Sequence, residues 1–140
     1  MATSTQTPIG ITLPIRKGVA SYFEQSYDTL TQVRSNIINL LNTRPGERRM
    51  QPTFGSRLWT LNFEPNMEIL TEMAQRIVAE DVAAWVPGVT VTNIDVSLLK
   101  SEQSLDDRDI YRLHIALDFV VDTTKQTDTI ELDVDSGTLN

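Results

Sequence analysis

Residues 109–121 constrain the fold of this chain more than any other segment. They read DIYRLHIALDFVV, in which large apolar residues occupy every second position: Tyr111, Leu113, Ile115, Leu117, Phe119 and Val121. Because successive side chains of a β-strand point to opposite faces of a sheet, this alternation predicts a strand with one apolar face and one polar face. Other elements of the chain must then cover the apolar face to form a core.

Two further segments show the same periodicity. In residues 89–99 the apolar positions change from odd to even numbers, which predicts a β-bulge near Asn93. Residues 128–134 are predicted to place apolar and polar side chains on opposite faces. In that segment the inward side chains are Ile130, Leu132 and Val134, and the outward ones are Thr129, Glu131 and Asp133. Short polar connections suit hairpins, so the three strands are predicted to form an antiparallel meander.

Two amphipathic helices are predicted before the strands. The first begins after the capping residue Asp28 and runs to about Asn42, and the second spans residues 67–85 after a cap at Asn66. If both helices pack on the apolar face of the meander, the chain forms a single α+β domain over residues 28–140.

Residues 1–27 predict an extended N-terminal arm. Its large aliphatic residues alternate with small or polar ones, as in a strand, but the intervening prolines and glycines argue against a central strand. Tyr22, Phe23 and Tyr27 are candidate anchors of the arm. The sequence leaves open whether the arm lies on this chain or on a partner, because terminal segments are often loose unless docked.

The negative charge is concentrated in the C-terminal part of the chain. The net charge is −7, and residues 1–88 hold 8 acids and 8 bases, whereas residues 89–140 hold 11 acids and 4 bases. This distribution argues against nucleic-acid binding. The N-terminus lacks the pattern of a signal peptide, and no apolar run approaches the roughly 20 residues that span a bilayer. We therefore expect a soluble protein without a membrane partner.

The sequence contains no recognisable catalytic or metal-binding motif. It has no cysteine, which excludes disulfides and zinc–thiolate sites, and its single histidine, His114, falls on the polar phase of the middle strand. The remaining candidates are acidic residues without the spacing of a calcium loop or of a catalytic motif: Asp106, Asp107, Asp109, Glu47, Glu64 and Glu68. A glycosidase-type carboxyl pair among the glutamates is not excluded. We predict no catalytic residue, no metal site and no cofactor.

The segment between the predicted helices is rich in arginine. Residues 43–58 read TRPGERRMQPTFGSRL, with four arginines, two prolines and two glycines. Together with the preceding helix end, the segment closely resembles the signature of the small baseplate wedge protein of contractile-tailed bacteriophages. The positions that carry the resemblance are Leu40, Leu41, Thr43, Arg44, Gly46, Glu47, Arg48, Pro52, Phe54, Gly55 and Leu58.

The resemblance covers roughly residues 28–134 and implies a function. The family initiates the tail sheath, and its relatives include the E subunit of the type VI secretion baseplate and phage proteins described as lysozyme-like. It implies a structural, non-enzymatic virion component of the tail baseplate, made in the host cytoplasm and present in six copies per particle. The implied partners are wedge core proteins and the tail sheath protein. Sheath strands are expected to add to the edge formed by Thr129, Ile130, Glu131, Leu132, Asp133 and Val134.

One family feature is altered in this chain. The family often ends its second helix with Glu-Pro-Arg, a motif implicated in docking to the wedge core, whereas the matching positions here are Val86-Pro87-Gly88. Both charges are absent. Docking is therefore assigned to Trp85 and Pro87, and to Arg49 and Arg57, which lie outside the shared structural positions.

Two interpretations of the shared arginines stay open. Arg44 and Arg48 either tie the loop to acidic neighbours or helix ends within the chain, or form bidentate contacts with wedge carboxylates. Phe54 and Leu58 are expected to fill the core.

Three other functions stay open. A baseplate subunit of a type VI secretion system, or of another phage-derived injection system, would share the fold and the partners. An acid-active muramidase belongs to a different class, and a peptidoglycan turnover assay would separate it. A small regulatory binding domain has only the generic fold in its favour.

Overall fold

The computed structural model describes residues 6–19, 22–63, 67–100 and 111–135. In chain order the elements are β1 (Gly10–Ile11), β2 (Gln25–Ser26), α1 (Thr29–Asn42), a 3-10 helix (Arg57–Phe63), α2 (Met67–Trp85), β3 (Val89–Lys100), β4 (Tyr111–Val121) and β5 (Thr127–Asp135). The predicted fold class, two helices on a three-stranded antiparallel meander, is confirmed.

The three long strands form one antiparallel sheet in the order β3-β4-β5. Ile115 of β4 lies opposite Val96 of β3 and Leu132 of β5. The predicted bulge is confirmed between Val91 and Asn93, where the register shifts. The apolar residues of β4 form the centre of the core, as the alternation predicts, and are buried at Leu113, Ile115, Leu117, Phe119 and Val121.

Helix α1 begins at the predicted cap. The carboxylate of Asp28 accepts a hydrogen bond from the Thr31 N–H (2.8 Å) and another from the Thr31 hydroxyl (2.7 Å). These two bonds, the hydroxyl bond first, lower the pKa of Asp28 below its ordinary value. At the other end the Thr43 N–H bonds to the Leu40 carbonyl, and the residue that follows precedes Pro45, which favours extended backbone there.

Helix α2 covers the sheet with one face. Ala74, Val78 and Val82 are fully buried on that face, and their spacing of four residues places them one turn apart on the same side of the helix. The helix stops at Trp85, before Pro87 and before Gly88, which has a positive φ of 80°. The predicted span of the second helix, residues 67–85, is therefore confirmed.

The N-terminal segment folds back on its own chain. β1 pairs with β2 in antiparallel register, and the hairpin rests on α1 through a hydrogen bond from the Leu13 N–H to Ser35 Oγ (3.0 Å). The predicted anchors, in contrast, stay 91%, 51% and 48% exposed at Tyr22, Phe23 and Tyr27. Their role as anchors, on this chain or on a partner, stays a prediction.

Some predicted features lie outside the described residues. These are the cap at Asn66, the acidic residues Glu64, Asp106, Asp107 and Asp109, and the side chains of Glu68, Tyr111 and Val134.

Candidate functional site

The arginine-rich segment between the helices is a closed loop. Its two ends are joined by a hydrogen bond from the Ser56 N–H to the Thr43 carbonyl (2.9 Å), and the Gly46 N–H bonds across it to the Pro52 carbonyl (2.7 Å). Gly55 has a φ of +134°, and a Cβ atom there would lie 2.7 Å from the main chain of Thr43 and its neighbours. A glycine is therefore required at this position for both conformation and space.

A buried carboxylate on α2 holds the C-terminal end of the loop. Asp81, only 5% exposed, accepts hydrogen bonds at Oδ2 from Ser56 Oγ (2.9 Å) and the Arg57 N–H (3.0 Å). Its other oxygen accepts from the Arg57 guanidinium, which also donates to Glu80 (2.7 Å). A buried carboxylate is costly unless it is paired, and this one is paired at both oxygens.

The guanidinium of Arg57 is thus committed to α2 within the chain. The bond to Glu80, followed by the attraction of Asp81, raises the pKa of Arg57 above its ordinary value. Its predicted role in wedge docking stays a prediction, but most of its donors already have partners here.

The two shared arginines pack on aromatic rings. Arg44 Cζ lies 4.0 Å from the ring centroid of Trp59, and Arg48 Cζ lies 3.9 Å from that of Phe54. The carboxylate of Glu47 accepts the Arg44 N–H (3.0 Å). Both arginines therefore contact rings of their own chain through cation–π interactions. Contact with wedge carboxylates stays a prediction.

Of the two residues predicted to fill the core, one does so completely. Leu58 is 1% exposed, whereas Phe54 is half-buried and packs on the rim of the core. The ring of Phe54 meets that of Trp85 edge to face, with centroids 5.3 Å apart and an interplanar angle of 72°. This contact links the loop to the end of α2.

A cleft lies where the loop meets both helices. It has a volume of about 260 Å³ and is lined by Asn36, Asn39, Arg48, Phe54, Trp85 and Val86. Of the residues predicted to dock the wedge core, Trp85 lines this cleft, and Pro87 comes two residues later in the chain. Arg49 is exposed on the neighbouring turn, while Arg57 is bound to Glu80 and Asp81 of α2.

The predicted sheath-binding edge is β5, and Arg34 of α1 binds its N-terminal part. Arg34 Nη1 donates to Asp128 Oδ2 (2.8 Å) and to the Thr129 carbonyl (2.9 Å). The Thr129 N–H in turn donates to Asp128 Oδ1 (2.9 Å). Further along the strand Asp133 meets His114 of β4 at 2.7 Å.

Sequence reasoning missed several of these residues, chiefly Asp81, Arg34 and Asp128. A signal existed for two of them. Asp81 falls within the apolar stripe of α2, and Arg34 lies beside the stripe of α1, where a charged residue needs a partner. What the sequence does not contain is the identity of the partner.

The described residues hold no group of three or more histidine, cysteine or acidic side chains placed to bind a metal ion. In the same part of the chain, no helix combines the length and the apolarity that crossing a membrane requires.

A family model described as "baseplate wedge protein gp25" matches residues 28–126. The chain belongs to the gp25 baseplate wedge family. The match includes α1, the closed loop and α2, and it ends before β5. No curated protein matches the chain.

Solved structures share the fold of this gp25-family chain. One is a protein of Geobacter sulfurreducens named as a candidate tail lysozyme (TM-score 0.64, 19% identity, 77% of this chain and 91% of that chain). Another belongs to the baseplate of the anti-feeding prophage (0.55, 17%, 75% and 81%). A third belongs to the type VI secretion baseplate complex (0.55, 16%, 78% and 94%). At these identities the similarity establishes the fold.

Proposed function

We propose that the chain is a structural baseplate component of a contractile injection system, which joins wedge proteins to the sheath and starts sheath assembly by accepting a strand. Membership of the gp25 family supports this role. Chains of the same fold occur in two baseplate assemblies, those of the anti-feeding prophage and the type VI secretion system. In a six-fold baseplate the chain is expected in six copies.

The observation that carries the strand-addition proposal is the position of β5 at the end of the sheet. In the part of the chain that is described, β5 pairs with β4 alone. An edge strand presents N–H and C=O groups that another strand can bind. The exposed acids Glu131 and Asp133 on this strand repel a second copy of themselves and favour a basic partner strand.

The opposite edge of the sheet is partly covered. Gln75 of α2 donates from Nε2 to the Ile94 carbonyl of β3 (3.1 Å). Since α2 already occupies this side, β5 is the better acceptor for an added strand.

The cleft between α1, the loop and the end of α2 is the proposed contact with the wedge core. It combines exposed surface of Trp85 and Phe54 with the guanidinium of Arg48, and aromatic and arginine side chains dominate binding energy at protein interfaces. Arg49 and Pro87 are exposed and directly follow the lining residues Arg48 and Val86 in the chain, so we include them in the proposed surface. A wedge segment with a carboxylate next to an apolar side chain fits this combination.

Enzymatic activity has little support. The Geobacter protein shares the fold at 19% identity, and a fold does not carry an activity with it. The one candidate acid in the loop, Glu47, binds the Arg44 N–H. We expect peptidoglycan turnover no faster than with buffer, unchanged by Glu47→Gln; turnover proportional to protein and lost in that variant would instead establish a muramidase.

A proline at Glu131 tests strand addition. Proline removes one main-chain donor, and at an edge position it leaves the β4–β5 ladder intact. We expect Glu131→Pro to fold and to bind wedge proteins but to start at least tenfold fewer sheaths with the cognate sheath subunit, counted by electron microscopy. Glu131→Ala is the matched control, because it removes the same side chain and keeps the donor. Equal sheath growth with both variants would contradict the proposal.

A further inference from the structure

Not every outward main-chain group of β5 is free to bond with an added strand. At Thr129 the carbonyl accepts from Arg34 (2.9 Å) and the N–H donates to Asp128 (2.9 Å), while Arg34 and Asp128 also bind each other (2.8 Å). The hydroxyl of Thr129 donates to Asp118 of β4 (2.6 Å). We call Arg34 and Asp128 the edge clasp.

The clasp lies at the edge of the sheet, on the side of β5 that faces away from β4. In an antiparallel pair, residues with outward N–H and C=O groups alternate with residues that bond to the neighbouring strand. Since Thr129 gives both its groups to the clasp, the next outward groups belong to Glu131 and Asp133. They are about 7 Å and 13 Å further along the strand, beyond the contacts that Arg34 makes.

The guanidinium also occupies space that an added strand needs. Neighbouring strands lie about 4.8 Å apart, and Arg34 Nη1 stands 2.9 Å from the outward carbonyl of Thr129. A strand that continued past Thr129 would have to displace Arg34 and break its contacts with both Thr129 and Asp128. It would then leave a carboxylate and a guanidinium without their partners beneath it.

We propose that the edge clasp sets the register and the length of the added strand: the strand pairs with Glu131 and Asp133 and ends before Thr129. This inference rests on the proposed addition of a strand to β5. Arg34 then acts as a positioning residue. It narrows the predicted sheath-binding edge of residues 129–134 to its C-terminal part, and it stops a partner from sliding by two residues toward the β4–β5 turn.

Amide hydrogen exchange, resolved to single residues, tests the clasp in the intact chain with the cognate sheath subunit as the probe. In the wild type we expect at least tenfold slower exchange at Glu131 and Asp133 on binding, and no change at Thr129. In the double variant Arg34→Ala/Asp128→Ala the slowing should extend to Thr129. The matched control is Arg76→Ala, which removes an exposed arginine of α2 and should reproduce the wild-type pattern.

Each outcome has a distinct meaning. Unchanged protection at Ile130 and Leu132, which bond to β4, shows that the double variant still folds. Slowing at Thr129 in the wild-type complex, or the same pattern in wild type and double variant, overturns the clasp while strand addition stands. No slowing on β5 in any variant overturns strand addition and the clasp together.

Discussion

Ser56 Oγ lies 2.9 Å from Oδ2 of the buried Asp81, and this bond fastens the closed loop to α2. The Arg57 N–H reaches the same oxygen at 3.0 Å. One carboxylate thus fixes the point where the loop ends and the 3-10 helix begins. The position of Phe54 and Arg48 in the cleft depends on that point, because the loop is closed there.

Asp81→Ala should destabilise the protein by about 2–3 kcal/mol, since it leaves a buried hydroxyl and a main-chain N–H without their charged acceptor. Urea unfolding gives the free energy of unfolding directly. Glu80→Ala, at the preceding residue, is the control. The exposed ion pair between Glu80 and Arg57 contributes roughly 0–1 kcal/mol. If the two variants unfold at the same urea concentration, Asp81 does not hold the loop.

Gly55→Ala should cost more than Gly46→Ala. Both glycines have positive φ values, 134° and 94°, so either substitution adds backbone strain of roughly 1–3 kcal/mol. Only at Gly55 does the added Cβ also meet main-chain atoms at 2.7 Å, whereas nothing lies within 4 Å of it at Gly46. Thermal unfolding of the two variants separates strain from collision, and equal melting temperatures would show that the loop can move away from the added atom.

The cap of α1 should make stability depend on pH in the acidic range. The folded-state pKa of Asp28 is lowered from its ordinary value of 3.8 by its bonds to Thr31. The stabilisation is therefore complete above that ordinary value and is lost as the pH falls through the folded-state pKa. At neutral pH Asp28→Ala should lose about 1 kcal/mol, and this difference should shrink as the solution is acidified below pH 3.8.

Asp28→Asn supplies the control for that titration. Asparagine caps a helix about as well as aspartate but does not ionise in this range. Its stability should follow that of wild type at neutral pH and should not decline with the loss of the Asp28 charge. A constant difference between wild type and Asp28→Ala at all pH values would mean that the carboxylate charge is not what stabilises the helix.

The elements that follow from local periodicity could be predicted from the sequence. The bulge at Asn93, the cap at Asp28 and the end of α2 before Pro87 each depend on a few neighbouring residues, and each is confirmed. The N-terminal hairpin could not be predicted in this way. It depends on a bond between Leu13 and Ser35, which are 22 residues apart.

The candidate site also depends on bonds between distant residues, which the sequence does not predict. Sequence reasoning selected Arg57 for contact with a partner because it lies outside the shared pattern, yet Arg57 binds Asp81, 24 residues away. Thr129 was assigned to an open edge, yet it is bound by Arg34, 95 residues away. A charge on a helix indicates that a partner is needed, but the packing of distant elements decides which residue that partner is.

Substitutions of Arg48 and Arg57 are predicted to have opposite effects on stability and on wedge binding. Arg48 lines the cleft and rests on the ring of Phe54, so Arg48→Ala should weaken binding of the wedge core about 10- to 100-fold. Because the contact is on the surface, the free energy of unfolding should fall by less than about 1 kcal/mol. Arg57→Ala should show the reverse, with a clear loss of stability and a small change in affinity.

Calorimetric titration and urea unfolding of both variants measure the two quantities, with Arg76→Ala as the control for loss of a positive charge. If Arg57→Ala weakens binding more than Arg48→Ala without loss of stability, the wedge core binds Arg57 and the proposed role of Arg48 is contradicted.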